Sequence, residues 1–503
     1  MILHLNGETN RYYVQTLCMV FFPGAKFGEG EEATPETPVV SLTVTDLDGG
    51  GKCACAEISY RGRTTTATES VYPDENIVGD RVAKIAEGRA IFGAGKEMFR
   101  HTPPWGILTG VRPSKVASEL LVAGRGILKS KAVLRDEYFV NPQKAALAVS
   151  VASTEMKLCK GLADDLCSVY ISIPFCPTRC AYCSFVSYTS ARLLSLIPEY
   201  LQTVAEDIDR MFMSIRRIGK RVASVYIGGG TPTTLSAEQL RFLLSRVTAN
   251  VDPATLMEFT LEAGRPDTIT QEKLAVAAEY GVTRISVNPQ ILSDEILESI
   301  GRRHTVDDFM RAYEIAATSD ILDINVDLIA GLPGDNFANF AYSIDKIIEL
   351  APSNITVHTF CVKKAADVLR ENSGVYSLSG GDAGKCVSYA QLKTKFAGYR
   401  PYYMYRQKNT VGNLENVGYA KEGRECMYNI FMMEELHSIF AVGAGAVTKL
   451  VDYRRPGEGK SRIQRLFTPK YPYEYLDLAK KARSGETEEL LTVQKQIEEF
   501  FQG

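Results

Sequence analysis

The 503-residue chain has little of several things that would declare a function from composition alone. Its 57 Lys and Arg nearly cancel its 60 Asp and Glu, leaving a formal charge of −3. No broad field of one sign therefore gathers nucleic acid or an anionic membrane. No apolar run approaches the roughly 20 residues that a spanning helix needs. The opening "MILHLNGETN" has no basic stretch followed by an apolar core, so no cleaved signal is expected and the protein is read as cytoplasmic. The five histidines (His4, His101, His304, His358 and His437) form no cluster and announce no second metal site. The single tryptophan, Trp105, sits in the proline-rich "HTPPWGILTGVRPSK", read as a packed turn. With 45% apolar residues the chain can fill two to four domains.

Cysteine, by contrast, is present in number. Eleven is odd, and a large chain without a signal keeps its thiols reduced, which argues against a disulfide framework. Cys53 and Cys55 in "GGGKCACAEISY" look like a metal pair, but no His or Cys stands near, and strand alternation is expected to send them to opposite faces. The informative group is Cys176, Cys180 and Cys183 in "YISIPFCPTRCAYCSF", three thiols in eight residues after an apolar run.

Periodicity divides the chain into four parts. Residues 1–75 alternate apolar and polar in short runs and predict a small antiparallel sheet. Residues 76–164 read as helical, with "DRVAKIAEGRAIFGAGKEMF" the longest stretch. Residues 165–365 repeat strand then helix six times, which demands a parallel sheet curled into a full or partial barrel. Residues 366–503 are a mixed region closed by a helical tail. In a (β/α) repeat, chemistry collects at the carboxyl ends of the strands. There the cysteines follow the first strand and "GGGTPT" ends the second. "LEAG", "NPQ" and "DLIAGLP" end the third, fourth and fifth.

Three soft thiolates on a short loop suit iron–sulfur or zinc. Structural zinc takes four protein ligands, and no fourth is at hand. An iron left open can bind a cofactor, so the missing ligand is expected to be the cofactor itself. C-x3-C-x-Y-C on a six-fold strand–helix repeat resembles the radical S-adenosylmethionine (SAM) enzymes. That resemblance implies a 4Fe-4S cluster whose open iron chelates SAM and whose electron cleaves it to a 5′-deoxyadenosyl radical. It also implies an α/β fold: a radical SAM partial (β/α)6 barrel, here with an N-terminal α+β extension and a C-terminal mixed region. Triple glycine lets backbone approach a ligand closely, and the resemblance makes Gly229, Gly230 and Thr231 SAM contacts.

The order of "YISIPF" with the cysteines, "GGGTPT", "LEAG", "NPQ", "IGRRHT" and "DLIAGLP" is similar to that of the oxygen-independent coproporphyrinogen III oxidases over residues 165–450. The long N-terminal extension, "YYMYRQKNTVGNLENVGYAKEG" and "GAGAVTK" point to the HemZ-type subgroup. By position, the resemblance assigns Tyr170 and Glu262 to the cluster-bound SAM. It assigns Tyr182, Gln290, Arg302 and Asp327 to a second SAM and makes Cys361 a backbone contact. It implies oxidative decarboxylation of two propionates of coproporphyrinogen III to vinyls, fed by an electron donor such as flavodoxin or ferredoxin. Two features depart from the relatives. Phe185, after Ser184, stands where classical members often carry a further cysteine. Gly412 stands where the heme-chaperone branch has the histidine of H-N-x-x-Y-W.

A substrate with four carboxylates calls for Arg or Lys donors. "YYMYRQKN" offers Arg406 and Lys408 beside Tyr402, Tyr403 and Tyr405, either as a tetrapyrrole pocket or as a tyrosine-rich packed strand. Three functions stay open on the sequence: the decarboxylase, a heme-binding or heme-delivery protein with cluster and SAM, and a radical SAM enzyme for another tetrapyrrole.

Overall fold

The computed structural model describes residues 1–28, 34–183, 187–361, 381–407, 410–453 and 461–502; Ser184, Phe185 and Lys408 lie outside them. Its contacts define two units. One comprises Met1–Lys157, Thr359–Ser388 and Met404–Val417; the other comprises Leu158–His358, Tyr389–Tyr403 and Gly418–Gly503.

The first unit begins with β1 (Ile2–Asn6), α1 (Arg11–Phe21), β2 (Val39–Leu47), β3 (Gly51–Tyr60) and β4 (Arg63–Val71), a four-stranded sheet in chain order. The expected all-antiparallel sheet is corrected at its first pair, because β1 and β2 run parallel. The cause is α1, which the alternation reading missed. Val14, Leu17, Cys18 and Phe21 recur at helical spacing and are buried, and Asn10 caps the helix by accepting from the Tyr13 N–H. A helical crossover returns the chain in the same direction. The long helix α2 (Arg81–Phe99) packs on β3 and β4. Ala54, Ala56 and Ile58 of β3 are buried. Cys53 and Cys55 are therefore not on opposite faces as expected. Separated by one residue, they share the other face of β3, Cys55 exposed and Cys53 half-buried. Helices α3 (Ser114–Val122), α4 (Gly126–Asp136) and α5 (Pro142–Cys159) follow.

Most of the second unit is one strand–helix repeat. β5 (Leu166–Ile173) is followed by α6 (Ala191–Leu194) and α7 (Ile197–Arg217), and β6 (Arg221–Gly229) by α8 (Ala237–Thr248). After β7 (Glu258–Leu261) comes α9 (Gln271–Glu279), and after β8 (Arg284–Ser286) come α10 (Asp294–Ser299) and α11 (Val306–Ala317). β9 (Asp323–Ala330), α12 (Phe337–Leu350) and β10 (Asn354–Thr359) complete the series. Strands β5 to β9 pair in parallel, each with the next, and β10 lies beside β9. Near-continuous apolar runs such as "VYISI" and "FTL" suit strands covered on both faces.

The remainder comprises α13 (Ala383–Phe396), β11 (Arg400–Arg406), β12 (Glu415–Ala420), α14 (Met427–Glu434), β13 (Ile439–Val442), β14 (Val447–Asp452), β15 (Arg462–Phe467), α15 (Pro472–Ser484) and α16 (Glu489–Gln502). Among the described residues the large sheet has eleven strands in the order β11-β12-β10-β9-β8-β7-β6-β5-β13-β14-β15. Because β13 pairs in parallel with β5, the six-strand series opens into a longer sheet rather than closing on itself. At the amino ends of the strands, buried Arg284 bonds to Glu258, Asp323 and Asn354 and to the carbonyls of Arg424 and Glu425. This fastens the approach to α14 under the strands and leaves the carboxyl ends for chemistry. No described helix is long and apolar enough to cross a membrane.

Candidate functional site

β5 delivers the three cysteines. The loop after it is pinned by backbone alone: the Cys176 N–H donates to Tyr188 O at 3.1 Å, Ala181 to Ile300 O at 3.0 Å and Cys183 to Cys180 O at 3.1 Å. Each thiol has its own polar neighbour. Cys176 Sγ is 3.3 Å from Thr231 Oγ1, Cys183 Sγ is 3.8 Å from Ser187 Oγ, and Cys180 Sγ is 3.7 Å from Arg265 Nη1. Burial pushes the Cys176 thiol up to about 11; the Thr231 hydroxyl pulls it down, and charge on Cys183 and Cys180 pushes it further up. Among the described residues no three His, Cys, Asp or Glu side chains converge on a single ion. Three thiolates on one short loop are the donor set that suits a cubane, in which each takes a different iron.

The second and third strands stand beside this loop. The Gly230 N–H donates to Ile173 O and the Thr231 N–H to Phe175 O, both at 2.8 Å, so the chain beyond β6 keeps pairing with the approach to Cys176. A Cβ on Gly230 would lie 2.6 Å from Phe175 O, and Gly229 adopts φ +107°. The glycines are needed to lay this segment against the cysteine loop, which brings Thr231 to Cys176.

Glu262 follows β7 and takes a hydrogen bond from the Gly229 N–H. Burial pushes its carboxyl up to about 8, and the charge of Asp327 adds to the effect. A carboxyl raised from 4.5 to about 8 binds its proton in the folded state while the unfolded chain has lost it, so stability falls as pH rises across that window. Thermal melts of the apo-protein from pH 5 to 8 should show this decline, and Glu262→Gln should reduce it; an identical slope in the variant refutes the assignment.

The fourth and fifth strands supply a hydrogen-bonded set. Arg302 is 8% exposed and donates through Nε to Tyr182 Oη at 3.2 Å, and through Nη1 to the carbonyls of Asn288 at 2.8 Å and Gly264 at 3.2 Å. Asp327 accepts from Asn288 at 2.9 Å and Asn325 at 2.7 Å, and His358 Nε2 lies 3.6 Å away. Burial raises the Asp327 carboxyl, but the bonds from His358, Asn325 and Thr356 outweigh it and hold the group below its ordinary value. Gln290 is buried at φ +70°, and its backbone links to Asp327 O and Ile329 N. Tyr170 stacks near Tyr226 and Tyr428, with ring centroids 6.1 and 6.4 Å away.

The second unit therefore carries Tyr170, the three cysteines, Tyr182, Gly229, Gly230, Thr231, Glu262, Gln290, Arg302 and Asp327 in or after five successive strands. Cys361 follows β10 in the first unit and bridges Thr410. Sequence reasoning missed Arg265, Asn288 and His358. Arg265 had a signal, a cation beside proline immediately after "LEAG", but nothing local tied it to Cys180.

Of the two readings of "YYMYRQKN", the described residues support the packed strand, with Lys408 outside them. Arg406 is 4% exposed, donates to Leu108 O at 2.6 Å and to Asn413 Oδ1 at 2.5 Å, and lies over the Trp105 ring. Trp105 is fully buried and donates to Glu415 at 2.8 Å, so its segment is the packed turn expected. Tyr402 and Tyr403 are buried too. Arg406→Ala should therefore lower thermal stability, by about 1–3 kcal/mol for each buried partner left unpaired. An unchanged melting temperature with weakened tetrapyrrole binding would restore the pocket reading.

The sequence pattern of the Radical SAM superfamily matches residues 170–347, the segment that carries this site. The fold is that of the superfamily. A solved structure, coproporphyrinogen III oxidase (HemN) from Escherichia coli, matches with a TM-score of 0.50 and 17% identity, covering 65% of this chain and 72% of that one. At 38% identity over 378 residues, covering 74% of each, the chain is similar to the oxygen-independent coproporphyrinogen-III oxidase-like protein HemZ of Bacillus subtilis (strain 168), and it belongs to that family. It is also 29% identical to the heme chaperone HemW of the same organism, covering 67% of this chain and 82% of that one. Membership implies a 4Fe-4S cluster and SAM, and the three-thiol donor set fits them.

Proposed function

We propose that the chain is a radical SAM oxidoreductase that decarboxylates two propionates of coproporphyrinogen III to vinyls, yielding protoporphyrinogen IX for heme synthesis without oxygen. The observation that carries this reading is the 38% identity to the coproporphyrinogen-III oxidase-like HemZ, extending over 74% of each chain and including the cysteine loop. When bound, the cluster and SAM supply the 5′-deoxyadenosyl radical that abstracts a hydrogen β to each carboxylate. The chain's own part is positional. Cys176, Cys180 and Cys183 hold the cluster, and Tyr170, Gly229, Gly230, Thr231 and Glu262 line the first SAM. Tyr182, Gln290, Arg302 and Asp327 form the place of a second, and Cys361 offers a backbone contact. The reducing electron comes from a partner such as flavodoxin or ferredoxin, and the reading places the protein in the cytoplasm.

The likeness to HemW favours a second reading, a heme carrier that retains cluster and SAM. Against it, Gly412 supplies no imidazole at the position of the chaperone motif. Modification of another tetrapyrrole is the third. Parallel anaerobic incubations of reconstituted protein with SAM, dithionite and either coproporphyrinogen III, heme or another tetrapyrrole, followed by mass analysis and a heme-binding titration, separate them. Loss of two carboxyl groups supports the decarboxylase. Unchanged porphyrinogen together with tight heme binding supports the carrier, and turnover of heme or another tetrapyrrole instead supports the third.

A further inference from the structure

The polar surroundings of the three thiols are unequal. Cys176 faces the neutral hydroxyl of Thr231 and Cys183 that of Ser187. Cys180 is the thiol at which a guanidinium is aimed. Arg265 Nη1 points at its sulfur from 3.7 Å, with only 3% of the residue exposed, and the same Arg265 also acts electrostatically on Cys176. The same nitrogen donates to the Thr178 carbonyl at 3.3 Å, which fixes the guanidinium to the cysteine loop. Arg302, also buried, interacts electrostatically with Cys180. Asp267 accepts from Arg265 Nε at 3.1 Å and from Nη2 at 3.4 Å, and is itself 28% exposed, so it neutralises the cation only in part.

A buried positive charge beside one ligand sulfur acts on redox equilibrium. When an iron–sulfur cluster takes up one electron its net charge becomes more negative by one. A nearby cation, and an N–H directed at a ligand sulfur, stabilise that reduced form more than the oxidised one. Low dielectric around a buried guanidinium strengthens the effect.

We infer that Arg265 is a positioning residue that raises the reduction potential of a cluster held by Cys176, Cys180 and Cys183, with Asp267 setting how much of its charge the cluster feels. This rests on the cluster assignment above. The electron comes from a low-potential one-electron donor and resides on the cluster, and no proton or bond of the chain changes.

The test is a dithionite titration of the anaerobically reconstituted protein, without SAM, followed by electron paramagnetic resonance of the reduced cluster. Iron and sulfide are assayed on the same samples. Arg265→Gln should shift the one-electron reduction equilibrium about tenfold toward the oxidised form, a fall of about 59 mV. Arg265→Lys, which keeps the charge, should recover at least half of that fall. Asp267→Asn should move the potential the opposite way, upward. Ser187→Ala, which removes only a neutral hydroxyl from Cys183, should move it less than Arg265→Gln. A merely structural Arg265 would give no such pair of opposite signs. Unchanged midpoints in Arg265→Gln and Asp267→Asn, at full iron content, would overturn the inference and leave the cluster standing. Wild-type protein that assembles no cluster under these conditions would overturn both.

Discussion

Replacing any one of Cys176, Cys180 and Cys183 by alanine should abolish the cluster's visible absorbance and all cleavage of SAM, while the protein still folds. The reason for the separation lies in the loop. Its backbone is held to Tyr188, Ile300 and Cys180 by N–H donors that no thiol supplies, so the variants lose a ligand and keep the geometry. A cubane with one iron reserved for a cofactor has no ligand to spare. Reconstituted wild type should carry about four irons per chain, and each variant should fall toward none. Far-ultraviolet circular dichroism and melting curves guard against unfolding. The control variants Cys53→Ala and Cys55→Ala, on the open face of β3, should keep the wild-type iron content, as should Cys361→Ala. A cluster lost from Cys53→Ala and kept in Cys180→Ala would end the assignment.

The second large effect concerns SAM stoichiometry. On the proposed decarboxylation, two propionates would require two hydrogen abstractions and so two SAM molecules for each product, and a second bound molecule would serve that need. The wild type should bind two in equilibrium dialysis, and Asp327→Ala and Arg302→Ala should each bind one. Asp327 already accepts from Asn288 and Asn325 and stays anionic, so it can accept from an ammonium group with charge assistance. Such a contact is worth about 1.5–3 kcal/mol, or roughly ten- to a hundredfold in affinity. Decarboxylation should fall by at least that factor at fixed iron content. Arg302 carries a second burden, since its loss strands the carbonyls of Gly264 and Asn288 and the Tyr182 hydroxyl. Arg302→Ala should therefore also melt at lower temperature, whereas Asp327→Ala isolates the binding effect better. One SAM per wild-type chain, unaltered by either change, would remove the second site and leave the superfamily assignment intact.

The parts of this protein written in local spacing were legible from the chain alone. Three cysteines within eight residues after an apolar strand, six strand–helix alternations, and glycines at a strand end each express a constraint between near neighbours. The motifs at the ends of successive strands were expected on one rim because a parallel repeat brings its carboxyl ends to one side; the residues assigned to SAM were named only through the family resemblance. Other features had no local signature. The β1–β2 pair runs parallel because α1 lies between them, and its helical spacing was hidden inside an alternating region. Arg406 sits among tyrosines as a binding group would, yet the turn around Trp105, some 300 residues earlier in sequence, takes its guanidinium. Arg265 reaches Cys180 across 85 residues. The proposed cluster ligands were legible in the sequence, because ligation depends on residue type and short spacing. Tertiary structure alone decided which charges face those ligands, because a buried charge takes its partner from whatever segment the fold packs against it.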